Sequence, residues 1–203
     1  MAVYSLGRSG GQVTPGALAK RLGASPSTVT EGVGRLVAQG LAHHAPYSPV
    51  ELTETGRAYA VAMFRRHRIL ETFLCRTLGY AWDEVHAEAD ALEHVVSDRL
   101  VDALDAFLGH PERDPHGDPI PTADGADPAT VGTRLDRVEE GAGGRVARVS
   151  DRDGTVLRFL DSVGLRPDVP VSVRERHLEL GMLTVEIDGA ATQLGLPAAA
   201  AVW

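Results

Sequence analysis

The sequence predicts an α+β chain in three parts: a winged helix-turn-helix, a longer helical segment and a small β-barrel. Three observations carry this. Apolar residues recur at helical spacing, between capping residues, over most of the first hundred positions. Residues 109–128, GHPERDPHGDPIPTADGADP, hold five prolines (Pro111, Pro115, Pro119, Pro121 and Pro128) and read as an irregular, stiff linker, with His110 and His116 as turn residues. From residue 134 to 203 the pattern changes to short alternating runs, GRVARVS, PVSVRER, LTVEIDG and AAAVW, separated by Gly, Asp and Pro, with a small helix near residues 156–163. The expected boundaries are 1–54, 55–128 and 129–203.

After the opening MAVYSLGRSGGQ, residues 14–22 set Ala17, Leu18 and Leu22 at helical spacing behind Pro15. Gly23 and Ala24 turn the chain. Ser25 is a natural N-cap and Pro26 a natural first residue for a helix through Gln39, with Val29, Val33, Leu36 and Val37 as its apolar face and Gly40 at its end. Two short helices about a tight turn, the second opening Ser-Pro-Ser-Thr-Val-Thr, make a helix-turn-helix whose small hydroxyls suit phosphates and base edges. Residues 41–43 and 50–52 read as strands around a tip punctuated by Pro46 and Pro49, which is the wing; the competing reading is a generic helical hairpin with a small ribbon. Thr53 caps a helix over residues 54–78, along which Arg57, Arg65, Arg66 and Arg68 are spaced.

Residues 64–100 hold three of the eight histidines, set among carboxylates. His67 and Glu71 stand four apart on one helix, which Gly79 stops. Asp83 starts the next, where His86, Asp90, Glu93 and His94 follow within an arc of about 100°. Val85, Ala89, Leu92 and Val96 occupy a separate arc. An antiparallel helix pair would join the two polar sets, and such nitrogen and oxygen donors invite a divalent metal. The alternative is a solvated stripe of surface ion pairs.

With 203 residues, 43% of them hydrophobic, the chain can bury one larger core or two modest ones. No apolar run approaches the roughly 18 residues of a membrane span, so no membrane partner is expected. The single cysteine, Cys75, excludes an internal disulfide and reads as a core thiol in a reducing cytoplasm. Net charge is −8, but residues 1–70 carry eight Lys or Arg against three Asp or Glu, so the basic end is the candidate polyanion binder.

The order of winged helix, long helix, RRHRILETFL, WDEVHAEADALEHVVSDRL, HPERDPHGDPIP and small β-domain resembles the diphtheria toxin repressor family of metal-dependent transcriptional repressors, in its manganese-responsive branch. The resemblance covers nearly the whole chain. It implies a homodimer on a palindromic double-stranded operator, and an SH3-like C-terminal domain akin to ferrous iron transport protein A. His67, Glu71 and His86 fall on the family's ancillary metal site, and Asp90, Glu93 and His94 on its primary, activating site. Iron-responsive members place a cysteine where Asp90 stands; a hard carboxylate suits Mn(II), with Fe(II) as the second choice. DNA contacts fall on Ser25, Ser27, Thr28, Thr30 and Arg35, with Tyr47 at the wing. Asp153 is the expected completing carboxylate of the ancillary site. Family members open with a longer helix that supplies a further primary-site ligand upstream of the aromatic matched by Tyr4, and this chain begins after that point. The resemblance implies a regulator of metal-uptake genes and no enzyme. The rivals are a hydrolase using the His/Asp/Glu cluster and a metal-independent winged-helix regulator.

Overall fold

A computed structural model describes residues 1–8, 10–129 and 132–203. They form two compact units, Met1–Arg65 with Pro121–Ala126, and Arg66–Ile120 with Asp127–Trp203.

The first unit is a winged helix-turn-helix built on local caps. It comprises α1 (Ala2–Arg8), α2 (Pro15–Leu22), α3 (Pro26–Ala38), β1 (Ala42–His43), β2 (Glu51–Leu52) and the start of α4 (Glu54–Leu78). Thr14 Oγ1 accepts from the Ala17 amide at 3.1 Å, and Gly23, in the left-handed region at φ 60°, ends α2. Ser25 Oγ accepts from the Thr28 amide at 3.2 Å and Pro26 opens α3, as the sequence predicts. Val13, Leu18, Val29, Val33, Ala42 and Val50 form the core between these helices and the wing. The wing strands pair antiparallel, Ala42 with Leu52 and His43 with Glu51.

Two features were not expected from the sequence. The opening residues form α1, and its Tyr4 is buried on Ala60 and Val61 with its ring 5.7 Å from that of Phe64. Gly56, in the first turn of α4, is required by contact: a Cβ there would stand 1.9 Å from the Leu41 carbonyl oxygen.

The second unit carries the rest of α4, then α5 (Val85–Leu92), α6 (Asp98–Phe107), the proline-rich loop and the β-domain. α6 is additional to the sequence expectation; Ser97 caps it and Val101 and Leu104 face inward beside Ile69 and Ile120. The β-domain holds β3 (Gly143–Arg145), α7 (Gly154–Ser162), β4 (Pro170–His177), β5 (Met182–Ile187), β6 (Ala190–Gly195) and the single turn α8 (Leu196–Ala199). Its sheet has the antiparallel order β3-β4-β5-β6, with a register shift between Val173 and Glu175. Leu183, Val185 and Ile187 alternate inward along β5 and meet Val171, Val173, Leu157, Leu160 and Leu194 in one core. The match to the expected strands is partial. AAAVW is not a named strand: Ala199 ends the helical turn α8, and Ala201 and Trp203 bond by backbone to residues 147–150 around a bridge between Val202 and Val149. GRVARVS contributes Gly144 and Arg145 to β3 and Val149 to that bridge, whereas β6 was not anticipated. Cys75 is half-buried rather than a core thiol, and burial pushes its pKa up. Among the described residues, no helix is long and apolar enough to cross a membrane.

Candidate metal centre

The carboxyl half of α4 presents His67 and Glu71 one turn apart, and both are buried. α5 brings His86 alongside, with its Nδ1 3.1 Å from His67 Nε2 and 3.2 Å from Glu71 Oε1. Asp90, one turn further along α5, places its oxygens 3.4 Å from His67 Nδ1 and 3.7 Å from His86 Nε2. Glu93, the residue after α5, is buried and accepts from His67 Nδ1 at 2.7 Å. Arg66 holds this end in place by donating to the Glu93 carbonyl at 2.9 Å and pairing with Asp98.

Three more residues join from elsewhere in the chain. Asp151, just before α7, stands 3.5 Å from His86 Nδ1. His116 is fully buried with its Nδ1 3.8 Å from Glu71 Oε2, and Asp114 lies beside it. Among the described residues, potential ligand atoms converge to within 4.8 Å in three sets that share members: His67, His86 and Asp90; Glu71, His86 and Asp151; and Glu71, Asp114 and His116.

The electrostatics show what the arrangement wants. Both nitrogens of His67 face carboxylates, Nε2 donating to Glu71 Oε1 at 2.9 Å and Nδ1 to Glu93. Burial lowers its pKa, but the hydrogen bonds to Glu71 and Glu93 outweigh that and carry it up to about 10. Burial likewise opposes ionisation of Glu71, yet the hydrogen bonds from His67 and His86 hold it well below the usual carboxylate range. His86 is pushed up chiefly by its hydrogen bond to Glu71. Asp114 is pushed well up by burial and by the charges of Glu71 and Asp118, against Arg68. Carboxylates therefore outnumber the cations that face them. Glu71 Oε2 and His116 Nδ1, both buried, have no hydrogen-bond partner among the described residues. Nitrogen and carboxylate donors with unspent lone pairs facing one another fit a divalent cation such as Mn(II) or Fe(II).

Comparison with known proteins decides what this centre belongs to. Family models match three consecutive parts: the iron dependent repressor N-terminal DNA binding domain over residues 1–50, the iron dependent repressor metal binding and dimerisation domain over 53–122, and the FeoA domain over 133–203. The iron-dependent repressor IdeR of Mycobacterium tuberculosis (strain ATCC 25618 / H37Rv) is 35% identical over 185 residues, 84% of this chain and 80% of that one. The chain belongs to the diphtheria toxin repressor family. A solved manganese-dependent transcriptional repressor in complex with manganese superimposes with a TM-score of 0.91 at 47% identity, covering 99% of this chain and 96% of that one. ScaR with bound Cd2+ gives 0.84 at 30% identity, covering 99% and 95%. Members of this family are transcriptional repressors, and the hydrolase and metal-independent readings are not supported.

Within this repressor the predicted ligands group differently from the expected split. His67, Glu71 and His86 do converge, but Asp90 and Glu93 Oε2 turn toward His67, and only Glu93 Oε1 stays near His94. α5 ends at Leu92 with Glu93 as its helical cap, so Glu93 keeps the face of the helix while His94 falls beyond it. His94 is left outside, 68% exposed with its Nε2 3.4 Å from Glu93 Oε1. Asp153 caps α7, accepting from the Thr155 and Val156 amides at 2.8 and 3.3 Å, and Asp151 stands in the place expected of it. His116 is no plain turn residue, whereas exposed His110, paired with Asp105, is one. Sequence reasoning missed Asp114, His116 and Asp151. The available signal was Asp-x-His in a turn closed by Gly117 and followed by the apolar Ile120, a polar motif set in a segment that must pack.

Of the predicted DNA-contact residues, Ser25, Ser27, Thr28 and Thr30 sit at the exposed start of α3, Arg35 lies in its last turn and Tyr47 at the wing tip. Ser25 Oγ lies 2.8 Å from the hydroxyls of Ser27 and Thr28, and the Thr30 hydroxyl donates to the Pro26 carbonyl at 2.8 Å. Arg35 pairs with Glu31 at 3.1 Å. Tyr47 is fully exposed and holds φ 66° at the turn between Pro46 and Ser48.

Proposed function

We propose that this chain is a Mn(II)-activated repressor that binds a palindromic double-stranded operator as a homodimer and controls metal-uptake genes. The observation that carries the reading is the buried donor set centred on Glu71, in which Glu71 Oε2 and His116 Nδ1 find no hydrogen-bond partner among the described residues. His67, Glu71, His86, Asp90 and Asp151 would hold one cation, Glu71, Asp114 and His116 an inner one, and Glu93 and His94 border the set. Metal bound there supplies positive charge to a carboxylate-rich pocket. The chain's own residues set which metal that is. Every donor is an imidazole nitrogen or a carboxylate oxygen, and Cys75 belongs to none of the three sets. Without a thiolate, and with Asp90 where one would otherwise stand, the site favours Mn(II) over softer, later ions, and Fe(II) is the alternative. The 47% identical structure, a manganese-dependent transcriptional repressor in complex with manganese, supports this choice.

DNA would be met by Ser25, Ser27, Thr28, Thr30 and Arg35 on α3 and by Tyr47 on the wing. The division of labour follows 1–54 for DNA, 55–128 for metal and dimerisation, and 129–203 for the β-domain that supplies Asp151. Fluorescence anisotropy with a duplex selected from random sequence tests the reading, run with chelator, with Mn(II) and, anaerobically, with Fe(II). Wild type should bind tightly only with metal, and Glu71→Gln should lose that dependence. Equal binding with chelator would sink the proposal.

A further inference from the structure

We propose that Trp82 is a positioning residue for the inner cation, fixing the His116 imidazole through its backbone carbonyl and its ring. The inference rests on the reading of Glu71, Asp114 and His116 as a metal position. His116 Nε2 lies 2.6 Å from the Trp82 carbonyl oxygen. A carbonyl only accepts, so Nε2 carries the hydrogen, and a neutral ring then keeps its lone pair on Nδ1. That lone pair faces Glu71 Oε2 at 3.8 Å, and neither atom has a hydrogen-bond partner among the described residues. Two buried acceptors face to face are unfavourable unless a cation or donor stands between them. The tautomer that Trp82 selects is therefore the one a metal needs.

The indole adds a second restraint. It stacks on the imidazole at 21° between planes, with centroids 5.8 Å apart. The backbone of His116 is already fixed: Asp114 Oδ1 accepts from the amides of His116 and Asp118 at 2.9 Å each, and the His116 carbonyl accepts from Val149 N, also at 2.9 Å. Gly117, at φ 88°, lies so close to the β-domain that a Cβ would stand 2.3 Å from the Ala147 carbonyl oxygen. Only the side-chain torsions of His116 remain, and the ring of Trp82 restrains those. Trp82 is itself anchored against the β-domain core, and its neighbour Asp83 pairs with Arg158 of α7 at 3.1 Å. The same segment leads into α5, which bears His86 and Asp90. Trp82 thus ties the inner position to the start of the helix that lines the outer one.

Calorimetric Mn(II) titration of the full chain tests this with Trp82→Phe, Trp82→Leu and His116→Ala. Trp82→Leu keeps apolar bulk without a stacking ring and should weaken one class of site about tenfold or more, the size of effect that outer-shell partners have. Trp82→Phe should restore it, and thermal melts of the metal-free proteins should coincide. If His116→Ala weakens a site and Trp82→Leu does not, the positioning role falls while the metal reading stands. If His116→Ala changes nothing, the inner position itself is wrong. A spectroscopic arm is independent of folding differences. In a Trp203→Phe background Trp82 is the remaining tryptophan of the two, and paramagnetic Mn(II) should quench its emission, an effect abolished by His116→Ala. Unquenched emission at saturating Mn(II) would overturn the proposal.

Discussion

Glu71 has no exposed surface and gives its two oxygens different neighbours, Oε1 to His67 and His86 and Oε2 to His116. Its first pairing was legible because His67 and Glu71 lie one helical turn apart. The second was not, because it spans 45 residues and depends on a turn whose packing no local rule specifies. The exchange of Asp151 for Asp153 was decidable: an aspartate directly before Gly154 and Thr155 is a natural N-cap, and a capping carboxylate is already engaged. His67 carries the residue-scale prediction. Its folded pKa of about 10 lies above the ordinary 6.5, so in the metal-free protein its stabilising contribution is fully present below about pH 6.5 and fades as pH rises through 10. A cation that takes His67 as ligand must displace that proton. Mn(II) affinity should therefore rise with pH across this window, with about one proton released per cation at pH 8. Calorimetry in buffers of differing ionisation enthalpy measures the release, and zero release would mean that His67 is not a ligand.

The helices ahead of the centre could be placed almost to the residue, because Thr14, Ser25 and Gly23 are caps whose effect is local. Other features depend on distant partners and were not legible. α1 exists because Tyr4 finds Ala60, Val61 and Phe64, and β6 pairs with β5 through Ala191, Thr192 and Gln193, residues with no strong strand signature of their own. Gly56 makes the same point. A glycine in the first turn of a long helix costs about 1 kcal/mol relative to alanine on propensity alone, so Gly56→Ala should stabilise α4 if only local terms counted. The Leu41 carbonyl, 1.9 Å from the added Cβ position, reverses the sign. That oxygen also accepts from Thr53 N at 3.1 Å, so wing and helix start would both have to move. Urea melts should show a loss of roughly 1–3 kcal/mol, the usual scale of overpacking. A more stable Gly56→Ala protein would show that the wing adapts without cost.

For the molecule as a whole, α4 is the element that matters, since its first residues, through Arg65, belong to the winged helix and the remainder, from Arg66, carries His67 and Glu71. One continuous helix therefore serves both the DNA-reading unit and the metal centre. The charge pattern had the same split, with the basic excess confined to the first seventy residues and the acidic excess, with its candidate ligands, beyond them. If occupancy of the centre raises operator affinity by some factor, operator must raise Mn(II) affinity by that same factor, because coupling free energy is reciprocal. Titrating Mn(II) into the protein alone, into the protein with a selected operator duplex, and into the protein with a scrambled duplex should give tighter binding only in the second case. The size of the gain should equal the metal-induced gain seen by anisotropy, typically about 5- to 150-fold for coupled sites. The comparison has to be made at one ionic strength, since contacts between basic side chains and phosphate weaken steeply with salt whether or not metal is bound. Equal Mn(II) affinity in all three titrations would mean that metal and DNA bind without communicating, and that α4 joins the two units without coupling them.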